Sequence, residues 1–122
     1  VLCPCGPAYV INDKTIPKLK CKIIAGVANC QLNDEIKDDQ MLYKKGIFIA
    51  PDYVINAGGV MQGIQEFEGG ILEIAISKLP IIRKNLNKIY QRSRIENKGA
   101  YFIAKKMALQ KYLFDRLDFL GS

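Results

Sequence analysis

Residues 50–63 read APDYVINAGGVMQG, and this stretch decides the fold. An apolar run comes just before it. Pro51 ends a strand at this point because it has no backbone N–H to donate to a neighbouring strand. Asp52 is suited to accept hydrogen bonds from the first N–H groups of a helix. After Gly59 the apolar residues recur every three or four positions, which is the helical period. The stretch therefore predicts strand, sharp turn and helix, the connection at which α/β folds bind ligands.

The turn itself contains two adjacent glycines, Gly58 and Gly59. Without a Cβ, each lets the backbone lie directly against a ligand or against another element. Two interpretations remain open at this point. The turn either presents Asn56 to a ligand, or it is a tight packing turn with a buried asparagine.

Two further apolar runs precede this stretch, and together with it they predict three short buried strands, at residues 1–5, 21–25 and 47–50. A helix is predicted over residues 34–45, opened by Asp34 and stopped by Gly46. Strands joined in this way form a parallel sheet with right-handed crossovers. Their carboxyl ends then lie on one edge, which gathers Cys5, Gly6, Asn29 and Asn56.

From residue 71 onward the pattern is helical, so the chain divides into an α/β part, residues 1–70, and a helical part, residues 71–122. Pro80 is expected to kink or split the first long helix near Lys78. Residues 97–99 interrupt the pattern again before a last helix. The end of that helix is apolar, and it either packs back on a domain or forms a subunit interface. Its apolar residues are Leu113, Phe114, Leu117, Phe119 and Leu120.

Composition indicates a globular protein. The 122 residues are 49% hydrophobic and 25% charged, which is ordinary for a folded domain. No apolar run reaches the roughly 20 residues of a membrane span, and no signal peptide is recognisable. We therefore expect a cytoplasmic protein without a membrane partner. Because the sequence opens within an apolar run and not with Met, we also expect it to be a piece of a longer chain.

Charge is unevenly distributed. Residues 1–70 hold seven basic and eight acidic residues, whereas residues 71–122 hold eleven and four. The basic residues of the second part recur at helical spacing between apolar positions, and solvated helix faces account for that pattern. No aromatic-interleaved RNA motif or zinc-finger spacing is present, so we predict no nucleic-acid partner.

The four cysteines occur in a sequence without histidine. Only Cys3 and Cys5 are close together, and their spacing does not match the usual zinc pairs. Buried free thiols are favoured over a metal site that uses all four cysteines. We predict no metal, and no disulfide is expected in a cytosolic chain.

Three segments resemble the Glu/Leu/Phe/Val amino-acid dehydrogenase family, closest to its leucine and phenylalanine dehydrogenase branch. They are TIPKLKCKIIAGVAN at residues 15–29, Gln31-Leu32, and APDYVINAGGV at residues 50–60. The resemblance implies the second half of a Rossmann-type NAD-binding domain followed by C-terminal helices that return to a substrate domain. It implies oxidative deamination of an apolar L-amino acid such as leucine, valine or phenylalanine to the 2-oxo acid and ammonia, in a homo-oligomer.

The family's glycine-rich turn, its acidic ribose partner and its catalytic lysines and aspartate would all lie upstream of Val1. The resemblance therefore assigns no catalytic residue here, implies a missing N-terminal domain, and predicts that this chain alone is inactive. The resemblance does not decide whether the cofactor is NAD or NADP, or which amino acid is the preferred substrate. The alternative is a non-catalytic or degenerate relative that acts as a helical interaction module.

Six positions carry over from the family. The resemblance assigns Cys5 and Gly6 to the turn that faces the nicotinamide ribose, and Asn29 to the nicotinamide end of the cofactor. It assigns Asn56 to the α-amino-acid end of the substrate, and Val60 and Gly63 to the wall of the side-chain pocket.

The chain departs from the family pattern in three places. Residues 5–8 are Cys-Gly-Pro-Ala where the family has Cys-Ala-Leu-Gly. Cys30 replaces a second asparagine after Asn29, and Gly63 stands where the leucine branch has valine. The first departure bears on the cofactor side of the site and the last on the choice of substrate.

Overall fold

The computed structural model describes the backbone of residues 1–121 and the side chains of residues 1–116. Leu117, Phe119 and Leu120, predicted to belong to an apolar tail, thus have side chains outside the described part. The elements are a 3-10 turn, Ile16–Lys18, two strands, β1 (Ile23–Ile24) and β2 (Phe48–Ile49), and the helices α1 (Lys37–Lys44), α2 (Asp52–Ile55), α3 (Gly58–Phe67), α4 (Leu72–Lys78), α5 (Pro80–Glu96) and α6 (Ala100–Gly121).

The sheet is parallel, with Ile23 opposite Phe48 and Ile24 opposite Ile49. On the other side of β1, Leu2 forms a single parallel bridge to Ile24. The Leu2 N–H donates to the Ile23 carbonyl at 2.8 Å. The predicted parallel α/β arrangement is confirmed. The predicted count of three strands is not, because the described residues contain two strands and two isolated bridges, Leu2 with Ile24 and Ile11 with Leu32.

Pro4 explains why the first predicted strand is so short. It has no N–H for a ladder. Its carbonyl instead accepts the N–H of Ala28 at 3.0 Å, in the loop after β1. It also lies so close to Gly26 that a Cβ at position 26 would overlap its backbone. The chain therefore leaves the sheet after Leu2 and packs against the loop that follows β1.

Helix α1 begins at Lys37, three residues after the start of the predicted helix over residues 34–45. The Asp34 side chain caps the turn that precedes it. The Asp34 carboxylate accepts the N–H groups of Ile36 and Lys37 at 3.0 and 2.9 Å. Capping of this kind satisfies the open donors of a helix start. The helix stops at Gly46, whose φ of +74° is in the left-handed region, as predicted for this glycine.

The helical part is divided where the sequence predicts. Pro80 occupies the first turn of α5, and α4 ends just before it at Lys78. Asn97 ends α5 with a φ of +53°. The Asp39 carboxylate then accepts the N–H of Phe102 at 3.0 Å, which ties the start of α6 to α1. Burial raises the pKa of Asp39. Hydrogen bonds from backbone N–H groups favour the charged carboxylate and partly oppose this shift.

The core lies between the sheet and helices α1, α5 and α6. Its largest fully buried side chains include Ile24, Leu42, Ile49, Ile89 and Tyr101. Helices α3 and α4 pack on each other outside this cluster. Among the described residues, no helix combines the length and apolar character needed to cross a membrane.

The prediction of buried thiols is wrong. Cys3, Cys5 and Cys30 are exposed and Cys21 is half-buried, and all four are free. Cys21, the half-buried one, packs against the edge of the core. Within the described part of the chain, no three cysteine, aspartate or glutamate side chains are grouped closely enough to hold a metal ion.

Candidate functional site

Two amide side chains meet beyond the carboxyl ends of β1 and β2. The Asn56 Nδ2 donates to the Asn29 Oδ1 at 3.2 Å. It also donates to the backbone carbonyl of Val27 at 3.2 Å. Asn29 follows β1 and Asn56 ends α2, the short helix that follows β2. The convergence predicted from the parallel strands is therefore found for this pair.

The loop that carries Asn29 is held from inside by Gln31, which is fully buried. The Gln31 Nε2 donates to the carbonyls of Gly26 and Ala28, at 3.0 and 2.8 Å. Two hydrogen bonds from one amide fix the curvature of a loop that has no ladder of its own. The position of Asn29 thus depends on a side chain two residues further along.

Asp52 in turn holds Gln31 and the start of α2. One carboxylate oxygen, Oδ2, accepts the Gln31 backbone N–H at 3.0 Å. The other, Oδ1, accepts the N–H of Tyr53 at 2.7 Å. Asp52 is itself buried, and hydrogen bonds to a carboxylate are stronger than those between neutral groups. This one side chain therefore joins the loop after β1 to the helix that presents Asn56.

A tyrosine from the helical part completes this support. The Tyr101 hydroxyl accepts the Asp52 backbone N–H at 3.2 Å. The rings of Tyr53 and Tyr101 pack edge to face, with centroids 5.6 Å apart. Burial raises the pKa of both phenols above their usual range, so both hydroxyls stay protonated.

Gln31 and Tyr101 were not predicted as members of the site. Gln31 belongs to the segments that resemble the family. The only feature of the sequence that could have indicated its role in the site is a polar side chain next to the apolar Leu32. Nothing near Tyr101 in the sequence indicates its partner, which is 49 residues away.

The two predicted residues on the cofactor side, Cys5 and Gly6, are exposed. The residue before them, Pro4, is bound to the same loop through Ala28. No atom lies within 4 Å of the place where a Cβ on Gly6 would be. The turn at Cys5 and Gly6 thus starts from an anchored residue and faces open space.

The two predicted pocket residues, Val60 and Gly63, lie on α3 and are also exposed. Val60 is 65% exposed. A Cβ at Gly63 would meet no atom within 4 Å. Within the described chain these residues form one open face of a helix, with no opposite wall.

Two cavities lie elsewhere. One, of about 390 Å³, is a half-open cavity between α1, β2, α5 and the start of α6. The other, of about 640 Å³, is a groove between α5 and α6 with several lysines. Neither is lined by any of the six predicted residues. The amide pair is therefore part of an open sheet edge, not of an enclosed pocket.

Comparison with known proteins places this geometry among amino-acid dehydrogenases. A family model described as Glutamate/Leucine/Phenylalanine/Valine dehydrogenase matches residues 1–106. The leucine dehydrogenase of Thermoactinomyces intermedius is 40% identical over 111 residues, which is 91% of this chain and 30% of that protein. The phenylalanine dehydrogenase of Lysinibacillus sphaericus is 41% identical over 96 residues, 79% of this chain and 25% of that protein.

Solved structures of amino-acid dehydrogenases have a similar fold. The crystal structure of L-tryptophan dehydrogenase from Nostoc punctiforme superposes with a TM-score of 0.84 at 38% identity. The superposition covers 88% of this chain and 32% of that one. Glutamate dehydrogenase from Peptoniphilus asaccharolyticus, at 21% identity and a TM-score of 0.60, shares the fold. The chain thus spans about a third or less of the length of these relatives.

Proposed function

The chain belongs to the Glutamate/Leucine/Phenylalanine/Valine dehydrogenase family, and we propose that it supplies the distal part of an NAD-dependent amino-acid dehydrogenase. Residues 1–70 form the second half of the nucleotide-binding domain in this proposal, and residues 71–122 form a helical C-terminal segment. The reaction is oxidative deamination of an apolar L-amino acid to its 2-oxo acid and ammonia.

The amide pair Asn29–Asn56 carries the proposal. Its shared hydrogen bond uses the Asn56 Nδ2 and the Asn29 Oδ1. Within residues 1–116, no protein group hydrogen-bonds the Asn29 Nδ2 or the Asn56 Oδ1. A free donor and a free acceptor therefore lie side by side at the carboxyl edge of a parallel sheet, where such folds bind nucleotides.

This donor and acceptor fit a nicotinamide ring beside an amino acid. The Asn29 Nδ2 suits the carboxamide oxygen of the cofactor, and the Asn56 Oδ1 suits the amino group of the substrate. When bound, NAD supplies the acceptor for the hydride of the substrate Cα. Cys5 and Gly6 would approach the cofactor ribose with backbone groups, and Val60 and Gly63 would contact the substrate side chain.

In this proposal the chain positions the reactants and does not supply the acid–base groups. Among the side chains that the structure describes, no lysine bonds to the amide pair, whereas Gln31 and Asp52 hold it in place. Because the relatives are about three times longer than the match, we assign the proton-transfer residues to an N-terminal domain. We also propose a homo-oligomer as the working form.

The test is Asn56→Ala in the complete protein, with the N-terminal domain present. Loss of one or two hydrogen bonds that strengthen in the transition state lowers kcat/KM by roughly 10- to 1000-fold. The free energy of unfolding should change little, because Asn56 is only half-buried. Asn87→Ala, at an exposed asparagine of α5, is the matched control and should keep full activity. An unchanged kcat/KM in Asn56→Ala would mean that Asn56 has only a structural role in its turn and does not contact the substrate.

A second candidate is a helical interaction module without turnover. One observation favours it: apolar side chains of α3 and α6 are open to solvent, with Phe67 94% and Phe114 64% exposed. The same assay separates the two candidates. A complete protein that shows no amino-acid-dependent NADH formation would support the module over the enzyme.

A further inference from the structure

Two cysteines lie side by side at the amino-terminal end of the described chain. The sulfur atoms of Cys3 and Cys5 are 3.5 Å apart, and one thiol donates a hydrogen bond to the other. Both side chains are exposed. A small molecule in solution can therefore reach either sulfur.

The backbone before this pair and between its two cysteines is fixed. Before it, the Leu2 N–H is bound to the Ile23 carbonyl, and the Leu2 carbonyl accepts the Ala25 N–H at 3.0 Å. Between the two cysteines, Pro4 is buried and bonded to Ala28. The turn that follows is unobstructed, since nothing lies within 4 Å of a Cβ placed on Gly6. Cys3 is therefore held in place, whereas Cys5 has room to move toward it.

We propose that Cys3 and Cys5 form a reversible intramolecular disulfide, which makes the Cys3-Pro4-Cys5 segment a redox modification site for small disulfides such as oxidised glutathione. The Cys5 thiolate attacks one sulfur of the small disulfide, forms a mixed disulfide and releases one thiolate. The Cys3 sulfur, after losing its proton to solvent, attacks the Cys5 sulfur and releases the second. The two protein thiols are oxidised, the small disulfide is reduced, and two molecules of its thiol result.

The order of attack follows from the hydrogen bond. The hydrogen bond between the two thiols raises the pKa of the Cys3 thiol, which favours its protonated form. The thiolate is the nucleophile in such exchange, which assigns the first attack to Cys5. Its sulfur then lies next to the Cys3 sulfur that resolves the mixed disulfide.

The resulting bond should be easy to reduce. A disulfide needs sulfurs about 2.05 Å apart with a torsion near 90°, and a ring with only one residue between the cysteines resists that geometry. Strained and exposed disulfides are the labile, regulatory ones. The site is therefore suited to sensing, not to holding the fold together.

The consequence for activity rests on the proposed function. Cys5 belongs to the turn assigned to the cofactor, so drawing its sulfur toward Cys3 moves that turn away from the nucleotide. Oxidation should then weaken NAD binding, and a thiol reductant should restore it.

The disulfide itself is tested without any activity measurement. The complete, reduced protein is equilibrated with oxidised glutathione, its remaining thiols are alkylated, and it is digested with trypsin. Cleavage after Lys14, Lys20 and Lys22 leaves Cys3 and Cys5 on one peptide and puts Cys21 and Cys30 on others. We expect the shared peptide to lose two hydrogen atoms and to take up no alkylating agent, and dithiothreitol should reverse both changes.

Two variants complete the design. Cys3→Ser should stop at the mixed disulfide and carry one glutathione on Cys5. Cys30→Ser, at an exposed cysteine outside the pair, should behave like the unaltered protein. The proposal is overturned if Cys3 and Cys5 each carry their own glutathione, if both stay alkylatable, or if their only disulfide joins two chains. With the disulfide formed, unchanged NAD affinity would overturn the consequence for binding, and failure of NAD to bind the reduced protein would count against the proposed function alone.

Discussion

The carboxylate of Asp52 should be a costly polar side chain to remove from this protein. It is 7% exposed and accepts two backbone N–H groups, from Gln31 at 3.0 Å and from Tyr53 at 2.7 Å. Asp52→Ala leaves both donors without their acceptor. The Gln31 donor lies in a fully buried residue, where water cannot easily replace the lost partner.

The magnitude follows from these two bonds. A hydrogen bond to a charged group contributes about 1.5–3 kcal/mol to stability. Water can reach the Tyr53 N–H more easily, because Tyr53 is 44% exposed, so its bond belongs at the low end of that range. We therefore expect Asp52→Ala to lower the free energy of unfolding by about 3–4 kcal/mol.

Asp52→Asn is a sharper variant because it keeps the shape. An amide has one oxygen, so it can accept only one of the two N–H groups and must point its NH₂ at the other. We expect a loss of about 2 kcal/mol, smaller than for Asp52→Ala but not negligible. A conservative change at a merely exposed aspartate would cost nothing comparable.

Urea unfolding followed by circular dichroism measures both losses. Asp13→Asn is the control, because Asp13 is exposed and only pairs with Lys37 on the surface; it should leave the unfolding midpoint unchanged. A decrease in the free energy of unfolding of less than about 1 kcal/mol for Asp52→Ala would refute the reasoning. Removing a buried carboxylate that accepts two hydrogen bonds should destabilise the protein by more than that. Equal losses for the alanine and asparagine variants would refute the argument from geometry.

Three other substitutions test further parts of the structure. Gly99→Ala should lower the free energy of unfolding by about 1–3 kcal/mol, because its Cβ would overlap the Asp39 carboxylate; Gly59→Ala, with open space around it, should not destabilise. Cys30→Asn should raise the thermal midpoint, because Cys30 has a φ of +51° and asparagine adopts that conformation more readily; an unchanged or lower midpoint would contradict this. Gly63→Val in the complete enzyme should shift kcat/KM from phenylalanine toward leucine by roughly 10- to 200-fold, and an unaltered ratio would show that Gly63 does not shape the pocket.

The parts of the fold that the sequence predicts correctly are those set by local chemistry. Pro51 ends β2, Pro80 separates α4 from α5, and the interruption predicted at residues 97–99 falls where α5 ends at Asn97. The two prolines restrict their own backbone, and asparagine tolerates the left-handed conformation that ends a helix, so no knowledge of distant contacts is needed. The helix predicted after residue 59 is found, although it already starts at Gly58, so the two glycines belong to its first turn and not to the predicted turn before it.

The errors concern features that depend on distant partners. The first strand is reduced to Leu2 because Pro4 has no N–H for a ladder and also packs on Gly26, and no pattern within residues 1–5 contains that second contact. The cysteines were expected to be buried because they border apolar runs. Their exposure depends on which side of each short segment faces the core, and segments of two residues have no periodicity to reveal it.

The candidate site was only half predictable for the same reason. Parallel strands bring Asn29 and Asn56 to one edge, and this could be deduced from the order of the elements. The groups that hold them could not, since Asp52 lies 21 residues from Gln31 and 49 from Tyr101. A buried polar residue indicates that a partner exists, without indicating which one.

These supporting bonds also show that the site is held from both parts of the chain. The start of α6 is fixed twice, by Asp39 through the Phe102 N–H and by Tyr101 through the Asp52 N–H. Asp52 holds the loop of Asn29 and starts the helix that ends at Asn56. Because the links through Asp52 are buried hydrogen bonds, displacing the first turn of α6 would break at least one bond or carry Asp52 with it. The helical part is thus not an appendage of the α/β part: its first turn helps to set the distance between the two amides.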